Sequence, residues 1–186
     1  PEGAAERAAG NVTLTAEARI IEQASHAGVP VPAVSLVLQP AMRLGEGYVM
    51  PHVAGETLGR RIVDDARLAG ARARLARQCG QALARIHAVD TLRLPPLRRA
   101  PAAEELAHYE ARHRGHGSAR PVFELAFRWL EDHLPSPLSK LRLVHGDFRN
   151  GNLIVGEDGV RAVLDWSLEH EPERGEDFEC ADTDGA

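Results

Sequence analysis

The chain contains very little lysine. Of its 22 basic residues only Lys140 is a lysine, and all the others are arginine. Acidic residues number 27, so the net charge is -5 at neutral pH. Proteins that bind nucleic acid neutralise its phosphates with clustered positive charge, whereas these arginines are interleaved with Glu and Asp. The composition therefore argues against a nucleic-acid partner.

Long apolar runs and closely spaced cysteines are also missing. No run approaches the ~20 apolar residues that a membrane-spanning helix needs, so we expect no membrane partner. Residues 1–10 lack the basic and then apolar pattern of a signal peptide, and the chain does not begin with Met, which favours a processed, tagged or truncated start. Cys79 and Cys180 stand far apart without metal-ligand spacing. Such cysteines are typical of free thiols in a reducing compartment, which predicts a cytoplasmic protein.

Apolar residues make up 44% of the chain, which is enough to form a core. Apolar periodicity and turn residues divide the chain into helical and extended segments. We predict a short helix capped by Thr15 and stopped by Gly28, because Glu17 is favourable in the first turn of such a helix. Helices are also predicted at 68–89, 102–114 and 121–134, and strands at 34–38, 48–53, 141–144, 153–155 and 160–164. Helices and strands that segregate along the chain are typical of the α+β class.

The last three predicted strands are punctuated by glycines and carry polar residues at their ends. Asp147, Asn152 and Asp165 each stand where a strand meets a loop. If the strand before Asp165 pairs with the strand after Asn152, these two side chains lie side by side. An amide oxygen and a carboxylate together suit Mg²⁺, and Asp147 would then be free to accept a proton from an attacking hydroxyl. These parts predict a phosphoryl-transfer site with Asp147 as the base and Asn152 and Asp165 as metal ligands.

The spacing within this stretch has a known counterpart. His145, Asp147 and Asn152 follow the kinase catalytic-loop pattern H-x-D-x-x-x-x-N. Asp and Asn also favour turns for conformational reasons, but three such residues at kinase spacing make a turn role alone the weaker interpretation. With Val-Leu-Asp-Trp further on, the stretch resembles the aminoglycoside phosphotransferase and choline-kinase-like family of small-molecule kinases, over about residues 16–178.

This resemblance implies a protein-kinase-like, two-lobed α+β fold. Residues 1–53 would form an incomplete N-lobe, made of a helix, a strand hairpin and the hinge, and residues 54–186 a mainly helical C-lobe with the catalytic and metal-binding loops. The resemblance implies ATP as phosphate donor, Mg²⁺ as cofactor, and a small-molecule hydroxyl as acceptor, for example on an aminoglycoside. Crowded acidic residues at 169–177 would suit a cationic acceptor, although such loops are usually only solvated.

The resemblance also assigns roles to residues outside the central loop. The segment around Met50 is similar to the family's hinge, where the Pro51 carbonyl and the Val53 N–H would bind the adenine. Asp177 lies in a short acidic motif that would support the loop. His145 is expected to hydrogen-bond the loop backbone rather than carry a proton.

The family also places a phosphate-binding lysine before its first long helix, where it pairs with a helix glutamate. Glu17 is in the position of that glutamate, but no lysine precedes it, and Lys140 leads into the catalytic loop and cannot serve. We therefore expect the front of the N-lobe to lie outside residues 1–186. This leaves open an impaired fragment or pseudokinase that acts only by binding. A metal-dependent hydrolase built on His145 and Asp147 is a weaker alternative, because only His170 could complete its ligand set.

Overall fold

The structure is a computed structural model that describes residues 12–97, 101–117, 120–135 and 141–167. Helices and short antiparallel strands are both present, so the chain has the mixed α and β content that we predicted. In chain order these ranges contain α1 (Leu14–His26), β1 (Leu36–Val37), β2 (Tyr48–Val49), α2 (Gly59–Asp64), α3 (Ala69–His87), α4 (Ala102–Gly115), α5 (Pro121–Asp132), β3 (Leu153–Gly156) and β4 (Gly159–Val163).

The described residues belong to two compact units. The first contains residues 12–97 and 142–167, and the second contains 101–117, 120–135 and Leu141. The predicted division between residues 53 and 54 stays a prediction. All candidate site residues that the structure describes lie in the first unit.

Helix α1 begins two residues earlier than we expected. The hydroxyl of Thr13 accepts a hydrogen bond from the Ala16 N–H at 3.2 Å, so Thr13 is the N-cap. The expectation that Thr15 caps this helix was wrong, because Thr15 already lies inside the first turn. The helix stops before Gly28, whose φ of 81° is readily adopted only by glycine. Its buried face consists of Glu17, Ala18, Ile20, Ile21 and Ala24.

Helix α3 confirms the long helix predicted from periodicity. Ala71, Ala82 and Ile86 are buried along it and pack into the main core. The short helix α2 before it was not predicted, because six residues give too little periodicity to recognise. Arg72 of α3 holds the end of α2, since its Nη1 donates to the Ile62 carbonyl at 3.0 Å.

The predicted strand at 141–144 does not form. Leu143 is buried in the core, but the segment has no strand partner among the described residues. Both edges of the β3–β4 hairpin are already occupied, because Glu56 pairs with Val155 of β3 and the Val163 N–H of β4 donates to the Pro30 carbonyl at 2.7 Å. The hairpin of β1 and β2 is confirmed, although each strand is only two residues long.

The second unit contains helices α4 and α5. Of the apolar residues that we assigned to a wide surface on α5, Phe127 is buried, whereas Val122, Leu125 and Trp129 are more than half exposed. The ring of His113 on α4 packs against Phe127, with ring centroids 5.6 Å apart. Across the part of the chain that the structure describes, we find no helix with the length and apolarity to cross a membrane.

Candidate active site

The β3–β4 hairpin places two of the predicted site residues at one end. Leu153 pairs with Val163, and the Leu164 N–H continues the ladder by donating to the Asn152 carbonyl at 2.8 Å. Asp165 follows Leu164 directly. The predicted strand pairing is confirmed, and it brings the backbones of Asn152 and Asp165 to the same end of the hairpin.

His145 joins the Asp147 loop to this hairpin. Its ring is buried, with Nε2 3.0 Å from the Leu164 carbonyl oxygen and Nδ1 3.3 Å from the Asp147 backbone nitrogen. A carbonyl can only accept and a backbone N–H can only donate, so both contacts require the neutral tautomer with hydrogen on Nε2. Burial lowers the pKa of His145 and outweighs the opposite effects of the Leu164 carbonyl and the Asp165 and Asp147 carboxylates. This geometry suits the loop-supporting role that we predicted.

The Asp147 carboxylate is held by two side chains. Oδ1 accepts from Nε of Arg149 at 2.6 Å, and Oδ2 accepts from Nδ2 of Asn152 at 2.6 Å. Asn152 Nδ2 also donates to the Asp147 main-chain carbonyl at 3.0 Å. Both partners of the amide nitrogen are acceptors, so Nδ2 must face Asp147 and the amide oxygen must face away. Asn152 therefore orients Asp147 and still offers an oxygen to a cation.

Arg149 was not among the predicted site residues. The signal that could have indicated it is its positive charge two residues after Asp147. Arg149 Nε and Asp147 Oδ1 form an ion pair at 2.6 Å.

Asp165 has an unusual backbone conformation. Its φ is 62°, in the left-handed region that residues other than glycine seldom adopt. The side chain is exposed, and its Oδ1 accepts from the Ser167 hydroxyl at 2.9 Å. The next residue, Trp166, is buried and donates through Nε1 to the Val163 carbonyl at 3.2 Å. Trp166 thus anchors the turn, and the strain falls on the residue predicted to bind metal, as is common at functional sites.

Glu17 and Tyr48 form a second polar group in the same unit. Glu17 of α1 is 8% exposed, and its carboxylate is hydrogen-bonded to the Tyr48 side chain. Burial raises the pKa of Tyr48 well above its ordinary value, and the charges of Glu17 and Asp165 raise it further. Tyr48 was missed by sequence reasoning, although a Tyr at the strand end before the predicted hinge was a possible signal. Glu17 and Asp165 thus both act on the Tyr48 hydroxyl.

The predicted hinge follows β2 directly. Met50 and Val53 are half-buried, and Pro51 is exposed. Within the described residues, neither the Pro51 carbonyl nor the Val53 N–H makes a hydrogen bond. The role of these two groups in binding the adenine stays a prediction.

Asp177 lies outside the described residues. In the described ranges, no group of three or more His, Cys, Asp and Glu side chains could hold a metal ion. The predicted metal ligands are one amide, Asn152, and one carboxylate, Asp165, because Asp147 was predicted to be the base. These residues do not make a group of three His, Cys, Asp or Glu side chains.

The buried His145, the oriented Asp147 and the Asn152 at the end of the hairpin follow the spacing of the kinase catalytic-loop pattern. Comparison with protein families gives the same class, because the model of the phosphotransferase enzyme family matches residues 5–168. The chain belongs to this family.

Two curated relatives are much longer proteins. The chain is similar to acyl-CoA dehydrogenase family member 11 of Gallus gallus, with 35% identity over 156 residues that cover 76% of the chain and 19% of the relative. It is similar to acyl-CoA dehydrogenase family member 10 of Mus musculus, with 33% identity over 165 residues that cover 82% of the chain and 15% of the relative. The chain thus spans less than a fifth of either relative.

Proposed function

We propose that this chain transfers the γ-phosphoryl group of ATP to a hydroxyl group of a small molecule, with Mg²⁺ as cofactor. The observation that carries the proposal is the orientation of the Asp147 carboxylate by Asn152, at 2.6 Å, beside the hairpin end that bears Asp165. The membership of the phosphotransferase enzyme family supports it.

Asp147 is the base in this proposal. An attacking hydroxyl would donate its proton to the carboxylate, whose oxygens each have two lone pairs. Oδ1 can therefore accept from Arg149 and from a substrate hydroxyl at the same time. The bond from Asn152 Nδ2 fixes the carboxylate before the acceptor arrives, which lowers the cost of orientation during the reaction.

Asn152 and Asp165 would hold the metal. The amide oxygen of Asn152 is turned away from Asp147, and the Asp165 carboxylate is exposed at the same end of the hairpin. These are hard oxygen donors, and Mg²⁺ usually takes only one or two ligands from the protein. When bound, Mg²⁺ neutralises charge on the nucleotide phosphates.

The nucleotide would lie between the hinge and this hairpin, in a protein-kinase-like, two-lobed arrangement. Met50, Pro51 and Val53 would contact the base. Glu17 would face the phosphates, in the position of the family's helix glutamate. The order of elements along the chain supports this interpretation. Elements α1, β1 and β2 precede the hinge in sequence, and the β3–β4 hairpin follows it.

The acceptor is proposed only as a class, a small molecule with a free hydroxyl. Aminoglycosides are one candidate from the sequence resemblance. Both long relatives are named as acyl-CoA dehydrogenase family members, so a hydroxyacyl-CoA belongs in the same panel. The expected cytoplasmic location stays a prediction.

Calorimetry and a phosphoryl-transfer assay test the proposal together. We expect the wild-type chain to bind ATP in the presence of Mg²⁺ and much more weakly with a chelator. Asp147→Asn should retain this binding and lose transfer, Asp165→Asn should lose the metal dependence, and the exposed Asp64→Asn should behave like wild type. Metal-dependent binding without transfer to any acceptor would favour the binding-only pseudokinase. Absence of binding would contradict the proposal.

A further inference from the structure

The segment that follows the predicted hinge pairs directly with the hairpin. The Glu56 N–H donates to the Val155 carbonyl at 2.8 Å, and the Val155 N–H donates to the Glu56 carbonyl at 2.9 Å. Gly55 lies so close to β3 that a Cβ there would collide with the Ile154 side chain and stand 2.9 Å from the Val155 carbonyl oxygen. The chain leaving the hinge is therefore part of the same small sheet as β3.

Arg161 of β4 makes a second connection to the hinge. Its Nη1 donates to the Ala54 carbonyl at 2.8 Å, and its Nε donates to the Asp158 carboxylate at 2.7 Å. The bond from Arg161 also lowers the pKa of Asp158. Between β2 and Glu56, the Ala54 carbonyl is the one backbone group with a hydrogen bond within the described part of the chain. Arg161 therefore holds a segment whose backbone makes no other hydrogen bond with the residues that the structure describes.

Gly156 makes this contact possible. The guanidinium of Arg161 passes over Gly156, and a Cβ at that position would collide with it. The end of a long side chain can move aside, so an alanine at 156 would displace Arg161 while leaving it in the chain. Gly156 is not among the positive-φ glycines, so alanine fits the backbone there.

We propose that Arg161 is a positioning residue for nucleotide binding, because it ties the hinge backbone at Ala54 to the hairpin that carries Asn152 and Asp165. This inference rests on the proposed function. A nucleotide that spans the site contacts the hinge with its base and the metal with its phosphates. Fixing the distance between these two ends before binding lowers the ordering cost of any ligand that reaches both.

We predict that loss of the Arg161 contact weakens the binding of long ligands and leaves the binding of short ligands unchanged. A charge-assisted hydrogen bond to a carbonyl is among the stronger ones, so Arg161→Gln should weaken binding of Mg·ATP by about tenfold. Adenosine, which reaches only the hinge, should bind as it does to the wild type. Gly156→Ala should reproduce both results although it keeps the arginine. Gly70→Ala, which places its Cβ in open space on α3, is the matched control.

The experiment is calorimetry of all four proteins with Mg·ATP and with adenosine, together with thermal unfolding and amide exchange of the nucleotide-free chain. We expect faster exchange at Gly55–Thr57 in Arg161→Gln and Gly156→Ala, with unfolding temperatures close to wild type. Variants that bind Mg·ATP as tightly as wild type would overturn the inference alone. Equal losses for Mg·ATP and adenosine would also overturn it, since they would indicate a damaged hinge. Wild-type protein that binds no nucleotide would overturn the proposed function and this inference together.

Discussion

The side-chain amide of Asn152 donates to both the carboxylate and the main-chain carbonyl of Asp147, at 2.6 and 3.0 Å. One residue thereby orients the proposed base and offers its remaining oxygen to the proposed metal. Sequence spacing predicted the metal role alone.

Because of this dual role, we expect Asn152→Asp to lower the stability of the fold as well as to disturb the proposed metal site. The substitution replaces a donor with a second carboxylate that faces Asp147, and Asn152 is buried. We expect a loss of about 1–3 kcal/mol in the free energy of unfolding, measured by urea denaturation, because the half-buried Asp147 carboxylate loses its donor and faces a second carboxylate. Asn150→Asp, at an exposed position in the same loop, is the control and should change stability little.

Substitutions of Asp165 should affect the stability of the fold and the Mg²⁺ dependence of ATP binding to different degrees. Its positive φ costs free energy for most residues, and Asn tolerates that region better than Ala does. We expect Asp165→Asn to be more stable in urea than Asp165→Ala by about 1 kcal/mol. Both variants should lose the Mg²⁺ dependence of ATP binding. Equal stability of the two variants would show that the backbone at 165 is not strained.

His145 should make the stability of the chain depend on pH. Burial lowers its pKa in the folded state, so the unfolded state binds the proton more readily. Stability is therefore greatest above the unfolded pKa of about 6.5 and falls as the pH drops through that value, until the folded-state pKa is passed. His145→Gln, which retains a donor for the Leu164 carbonyl, should flatten this dependence in urea denaturation between neutral and mildly acidic pH.

A control for this measurement is the exposed His52→Gln, which should retain the wild-type pH dependence. A His145→Gln protein whose stability falls with pH as steeply as wild type would contradict the assignment of a buried, neutral imidazole.

Tyr48 should contribute to stability through its hydroxyl. Tyr48→Phe removes the hydrogen bond to the buried Glu17 carboxylate and should lower the free energy of unfolding by about 1–3 kcal/mol. In an ultraviolet pH titration, Tyr48→Phe should also remove a tyrosine that ionises above the ordinary value of about 10, because the pKa of Tyr48 is raised. A titration with no late phase in the wild type would contradict the contact.

Much of the site was predictable because it is local in sequence. Asp147, Asn152 and Asp165 lie on one loop and one hairpin, so spacing and alternation were sufficient to place them together. The features that were missed depend on contacts between distant segments. Tyr48 meets Glu17 across two elements, and the edge positions taken by Glu56 and Pro30 left residues 141–144 without a strand partner.

The helix start shows the same limit at short range. Thr13 and Thr15 are both good N-cap residues by type, and only the bond from the Ala16 N–H distinguishes them. Arg161 was not recognised because its contact with Ala54 joins residues far apart in the chain.

The most direct test of the proposed function is ATP binding by the wild-type chain with and without Mg²⁺, measured by calorimetry beside Asp165→Asn. We predict that chelation of the metal weakens wild-type binding by at least about tenfold, because the metal neutralises the phosphate charge. In Asp165→Asn, chelation should have little further effect. Wild-type binding that is absent, or equally strong without the metal, would contradict a phosphotransferase site built on Asn152 and Asp165.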